Sequence, residues 1–97
     1  MSVTVIYSFQ PAEGEGEALV DLLRKGRDIT LGAAGCKAFD VYQGVNDPHD
    51  VVMIEEWSSK EAHQQHFGEA VRGSELFDRV ITLLIEPPAP VYYQRRS

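Results

Sequence analysis

The residues best suited to chemistry lie in one run, Glu55-Glu56-Trp57-Ser58-Ser59-Lys60-Glu61-Ala62-His63-Gln64-Gln65-His66-Phe67. An unperturbed imidazole titrates at about 6.5, so His63 and His66 suit proton transfer near neutral pH. The two are three residues apart on what reads as a helix. His63 is expected to face solvent, whereas His66 reads as either a buried, hydrogen-bonded ring or the base of a pocket. Both could reach one metal ion, but their spacing is not the His-Glu-x-x-His arrangement of zinc proteases and no third ligand is close in sequence. No metal site is expected. Glu55 and Glu56 are adjacent, so on a strand they face opposite sides and cannot form a paired-carboxylate site. Whichever points inward needs a partner. Trp57 suits either the core, with its indole N–H bonded locally, or a pocket wall. Cys36 has only Lys37 beside it to lower its pKa and reads as a small packed hydrophobe. His49 follows Pro48 in a turn-rich loop and reads as solvated.

These side chains need a frame, and the patterning supplies one. Val3, Val5, Tyr7 and Phe9 alternate with Ser2, Thr4, Ile6 and Ser8, which predicts a strand over 2–9. Ala18, Leu19, Leu22, Leu23, Gly26 and Ile29 recur at helical spacing, with acids early and bases late, which predicts one helix from about 15 to 30. A second strand is expected over 36–45, then a loop over 44–50 and a third strand from Val51 to near Trp57, paired as a hairpin. Ser58 with Glu61 three residues later forms a capping-box pattern. The helix it starts should falter at Gly68 and again near Gly73. Leu76, Phe77, Val80, Ile81 and Leu84 mark a further helical stretch, and Pro87, Pro88 and Pro90 end it. Val91-Tyr92-Tyr93 reads as a fourth, edge strand, with Tyr92 and Tyr93 as strand and interface residues.

The order strand, helix, strand, strand, helix, strand predicts an α+β, ferredoxin-like fold with an antiparallel sheet and both helices on one face. Tyr7, Phe39, Tyr42, Met53 and Trp57 are not all expected to face those helices. Some should make the other sheet face apolar, and a second copy of the chain is its simplest cover. A homodimer through the open sheet face is therefore expected.

At 97 residues the chain fits one domain, with a core over 2–93 and a frayed tail over 94–97. Hydrophobic residues at 43% and charged residues at 25% are ordinary for a folded domain. A net charge of −6 speaks against a nucleic-acid or anionic-membrane partner. One cysteine builds no intramolecular disulfide, which points to a reducing cytoplasm, and no apolar run approaches a membrane span.

The run from Glu55 to Phe67 resembles the antibiotic biosynthesis monooxygenase family, which includes quinol monooxygenases. The likeness rests on a strand-ending Glu and Trp, a Ser pair, Glu-Ala and a His nine residues after the Trp. Gly35-Cys36-x-x-Phe39-x-Val41-Tyr42 looks like the family's second strand, and Asn46-Asp47-Pro48 like its hairpin loop. The resemblance covers roughly residues 3 to 86. It implies a dimeric α+β barrel with a pocket between sheet and helices in each subunit. Some members oxidise quinols or anthrone-type polyketides with O2 and no flavin, metal or haem, so no cofactor is expected. The protein then needs only to desolvate an electron-rich substrate, orient it and manage one proton. On that reading His66 and Trp57 are the catalytic pair. Tyr7, Phe39, Tyr42, Phe67 and Phe77 wall the pocket, with His63 as a second possible proton acceptor. The haem-degrading branch of the superfamily is a poor match. In register, His66 falls where that branch has a Trp, Leu76 falls where it has its ligating His, and the first strand offers Tyr7 and Ser8 but no Asn. A non-catalytic, small-molecule-binding or stress-associated dimer of the same fold is the alternative.

Overall fold

Alternation of apolar and polar side chains sets the first strand, β1 (Val3–Phe9), in a computed structural model that describes residues 2–97. Pro11 and the positive φ of Gly14 turn the chain into α1 (Gly16–Lys25). The helix expected over 15–30 is two helices, since the axis breaks at Gly26 before α2 (Arg27–Leu31). The apolar stripe runs through the break and hides it. Gly26 lies where Leu76 comes close, and an added Cβ would sit 3.5 Å from Leu76 Cδ2.

The hairpin forms as expected from β2 (Cys36–Gln43) and β3 (Val51–Trp57). The next helix, α3 (Lys60–His66), is capped by Ser59, whose Oγ accepts the Ala62 N–H at 3.1 Å. Ser58, expected as the cap, instead donates its backbone N–H to Gly35 O at 2.7 Å. Gly68 does not break the helix. The chain widens there into a π-helical turn over Phe67–Val71, closed by Arg72 N–H donating to Phe67 O at 2.8 Å, and the break comes at Gly73 with φ +80°. The last helix, α4 (Glu75–Thr82), has Ser74 as its cap. Residues 94–97 follow β4 (Pro90–Tyr93) without regular structure.

The sheet order is β2-β3-β1-β4, antiparallel throughout, with β4 on the edge. This is the ferredoxin-like arrangement. Register places Phe39, Glu55, Val5 and Tyr92 in one cross-strand row, with Val41, Met53 and Tyr7 in the next. Both rows face the helices, and their apolar members pack with Leu19 and Leu23 of α1 and Val80 of α4 in one core. Four of the five large side chains expected to be divided between the faces therefore share the helical side: Tyr7, Phe39, Met53 and Trp57 are all buried. Their positions have the same parity once the strands are registered. Tyr42 alone points the other way and is 57% exposed. No helix among the described residues is long and apolar enough to cross a membrane.

Candidate active site

A cavity of about 140 Å³ opens between the helical face of the sheet and the helices above it. Tyr7 and Phe39 come from strands, where period two aims them inward. Phe67 stands on the π-helical turn and meets Phe77 of α4 edge to face, with ring centroids 5.5 Å apart. Such a perpendicular pair makes a stiff aromatic wall.

The titratable groups of the cavity, Tyr7, Glu55, His63 and His66, form one cluster. Trp57 Nε1–H donates to Glu55 Oε1 at 2.8 Å, and His63 Nε2 lies 3.9 Å from the same oxygen. His63 is 2% exposed and hydrogen-bonded on both ring nitrogens, Nε2 to the Tyr7 hydroxyl at 2.6 Å and Nδ1 to the Tyr92 hydroxyl at 2.7 Å. His66, one helical turn on, has its ring 5.2 Å from that of Trp57. Its Nε2 is buried without a hydrogen-bond partner among the described residues, in a wall of the cavity. A buried polar atom of this kind calls for a partner, which a group entering the cavity can supply.

Burial dominates the electrostatics and disfavours the charged form of every group in the cluster. It raises Glu55 from 4.5 to about 7, against the Trp57 hydrogen bond, which lowers it. It lowers His63 from 6.5 to about 4, with the neighbouring His66 adding to the shift. His66 is also lowered by burial. The Tyr7 hydroxyl is pushed well above the usual phenol range by burial and by the charges of Glu55 and Tyr92. At neutral pH both imidazoles are neutral, each with one ring N–H and one basic nitrogen, and the phenol of Tyr7 keeps its proton.

Most of the expected site residues meet here. His66, His63, Tyr7, Phe39, Phe67 and Phe77 all line the cavity. His63 was expected in solvent. It is interior because α3 lays that face onto Tyr7 and Trp57. Trp57, fully buried, does not reach the cavity wall and acts on it from behind, through its hydrogen bond to Glu55 and its ring contacts with His63 and His66. Tyr42, expected as a wall, lies on the open sheet face because it has the opposite parity to Phe39. Two members were not expected at the site: Glu55, and Tyr92, which the sequence places as a strand and interface residue but which turns its hydroxyl to His63 on the helical side. For Glu55 the signal was present, since a residue two before Trp57 on a strand shares its face. For Tyr92 it was not, because only the pairing of β4 with β1 brings its hydroxyl to His63. Elsewhere, His49 Nε2 accepts the Gly14 N–H at 3.0 Å and ties the hairpin loop to the start of α1. Cys36 is half-buried, and its thiol donates to Ala38 O at 3.6 Å. Among the described residues no three His, Cys, Asp or Glu side chains converge as a metal would require.

Residues 2–72 match the model of the antibiotic biosynthesis monooxygenase family. The chain belongs to that family. The match spans the sheet residues of the cavity, α3 and the π-helical turn. Among solved structures, Rv0793 from Mycobacterium tuberculosis is 26% identical with a TM-score of 0.79, covering 100% of this chain and 97% of its own. PA3566 from Pseudomonas aeruginosa is 27% identical with a TM-score of 0.78, covering 99% and 95%. A Bordetella bronchiseptica protein provisionally described as an antibiotic biosynthesis monooxygenase superposes with a TM-score of 0.86, covering 99% and 98%. At 18% identity that last likeness speaks for the fold alone. No curated protein matches the chain.

Proposed function

We propose that this family member is a cofactor-independent monooxygenase acting on a neutral, electron-rich quinol of one or two rings. The observation that carries the reading is the unpartnered Nε2 of His66 in the wall of an aromatic-lined cavity. Neutral imidazole there is a base waiting for an O–H donor. Among the described residues the lining includes no Lys or Arg, so an anionic substrate would find no basic side chain in the wall itself. A cavity of about 140 Å³ compares with the roughly 150 Å³ apolar cavity that admits benzene, so it fits one ring. A second ring would extend toward the mouth, where Ile29 is exposed. A tricyclic anthrone fits less well.

In this mechanism His66 takes a hydroxyl proton, and the quinolate passes one electron to O2. The resulting semiquinone and superoxide join at a ring carbon. Protonation gives a hydroperoxide, whose O–O bond breaks as water leaves. One ring C–H becomes C–OH, the two hydroxyls become carbonyls, and the other oxygen atom departs as water. The substrate supplies all four electrons, so no external reductant enters. The protein's contribution is orientation, exclusion of water and control of protons. A second copy of the chain over the open sheet face completes the proposal, making the working unit a homodimer.

The test is oxygen uptake by the purified protein against a panel of reduced benzoquinols, naphthoquinols and anthrones, each corrected for its autoxidation. Saturable uptake is expected, greatest for the smaller rings, and loss of about 100-fold or more in His66→Gln. Uptake at the autoxidation rate across the panel, or full turnover by His66→Gln, would sink the assignment. The first result would favour a pocket that binds without reacting.

A further inference from the structure

His63 is hydrogen-bonded to a phenol on each side, and the two phenols lie in different surroundings. Tyr7 is 5% exposed and lines the cavity. Tyr92 is half-buried on the edge strand and does not line it. Around Tyr92 stand residues of α3 that face water: Lys60, whose Nζ lies 5.3 Å from the ring centroid, Glu61 and Gln64. The row Tyr7–His63–Tyr92 thus runs unbroken from the cavity to the half-buried edge strand, with links of 2.6 Å and 2.7 Å between its three residues. The other titratable groups facing His63 are Glu55 from β3 and His66 from its own helix.

We infer that Tyr92, His63 and Tyr7 form a proton path between the surface and the cavity, driven by a switch of the imidazole tautomer. A neutral imidazole between two hydroxyls must donate from one nitrogen and accept at the other. In one tautomer Nε2–H donates to Tyr7 and the Tyr92 hydroxyl donates to Nδ1. In the other, Tyr7 donates to Nε2 and Nδ1–H donates to Tyr92. For inward passage, Tyr7 gives its proton to the cavity and takes the one on Nε2. Tyr92 gives its proton to Nδ1 and is refilled from water. One proton has moved, each residue is neutral before and after, and the tautomer is reversed. Outward passage runs the same transfers backward and restores it. Burial penalises an imidazolium or a phenolate here, and the switch needs neither as a resting state.

This inference rests on the proposed monooxygenase reading for its use. There, the reduced oxygen receives a proton through Tyr7, and the proton taken by His66 leaves by the same path through cavity water. One inward and one outward passage return the path to its starting tautomer in each turnover. Tyr92 is then a positioning and relay residue that never touches substrate.

The path is tested without substrate, so it and the oxygenase activity can fail separately. Nitrogen-15 NMR follows the ring proton of His63 and its exchange with water. Without the Tyr92 hydroxyl, exchange waits on local opening, so Tyr92→Phe should slow it by about tenfold or more, while Tyr7→Phe, which removes only the cavity end, leaves it within about twofold. Tyr92→Phe keeps the ring that packs on His63 and Lys60, and backbone amide shifts away from β4 check that the fold is retained. Exchange as fast in Tyr92→Phe as in the wild type overturns the path. Equal slowing in Tyr7→Phe also overturns it, by placing the route through the cavity.

Discussion

Trp57 donates its indole N–H to Glu55 across one step of the same strand, at 2.8 Å, with both side chains out of solvent. The bond turns the largest buried side chain of the protein into a support for the acid group of the cavity. Trp57→Phe removes this donor while keeping an aromatic ring in the core. Loss of a hydrogen bond to a buried carboxyl costs about 1–3 kcal/mol, and the reduced ring volume adds to it. The indole bond lowers the Glu55 pKa, so that value should rise further in the variant. Denaturant unfolding measures the first effect and a carboxyl NMR titration the second. A Glu55 titration unmoved by Trp57→Phe would show that the indole does not hold the acid.

Burial moves Glu55 and His63 in opposite directions, and their effects on stability oppose each other. Between pH 4.5 and about 7 the folded protein keeps a proton on Glu55 that the unfolded chain has lost, so this group's contribution falls as pH rises. Between about pH 4 and 6.5 the unfolded chain keeps a proton on His63 that the folded protein lacks, so that contribution grows as pH rises. Each is on the order of 3 kcal/mol, and over the shared window the two nearly cancel. Glu55→Gln should therefore expose a stability that climbs from about pH 4 to 6.5, steepened by His66, whose pKa is also lowered. His63→Gln should expose one that declines from pH 4.5 toward about 7. Thermal melts across pH 4–8 compare the three proteins. Parallel profiles would mean that these groups do not titrate as their burial requires.

The alternation of Val3, Val5, Tyr7 and Phe9 and the capping signals before residue 60 made the element order legible, because each depends on near neighbours in sequence. The placement of Tyr42 and Phe39 was harder. They are three apart and must face opposite sides, but which of them faces the helices depends on pairing with β3. His63 and His66 lie only about 60° apart around a helix, so a small rotation exchanges their surroundings. The packing of α3 onto Tyr7 and Trp57 decides it, with both rings inside. Nothing local announces the π-helical turn. Gly68 reads as a breaker, yet its neighbours stay helical and carry Phe67 and Val71 into the cavity wall.

Gly35 joins the turn before β2 to the first turn of α3. Its φ is +89°, and an added Cβ would stand 2.6 Å from Ser58 Oγ and 3.0 Å from Ala62 Cβ. Gly35→Ala should cost about 1–2 kcal/mol in backbone strain alone. The contact with Ala62 adds a second cost, because Ala62 immediately precedes His63. Gly73 supplies the control, with φ +80° and nothing within 4 Å of its added Cβ. Gly73→Ala should lower stability by the backbone part only. Chemical denaturation of both variants separates the two terms. Equal losses would mean that α3 yields to the methyl group and that its packing on the sheet is loose.

On the outer face of the sheet, Asp40, Ile54, Ile6 and Val91 form one cross-strand row. Tyr42 and Tyr93 flank it, 57% and 52% exposed. A patch this apolar at the centre of a sheet is uncommon on a monomer. The acids of the same face, Asp40 and Glu56, stand on the outermost strand and near the end of β3, toward the rim, where charge is tolerated in an interface. A two-fold axis near Ile6 and Ile54 would lay apolar centre on apolar centre and keep the acids apart. Ile54→Lys puts an ammonium group at the middle of that contact while leaving the helical face of β3 untouched. Light scattering at micromolar concentration should report a dimer for the wild type and a monomer for the variant, with far-ultraviolet circular dichroism unchanged. Tyr7, His63 and Tyr92 belong to the opposite face, so exchange of the His63 ring proton should survive the loss of the dimer. A wild-type monomer under the same conditions would end the dimer proposal and leave the outer row without a partner.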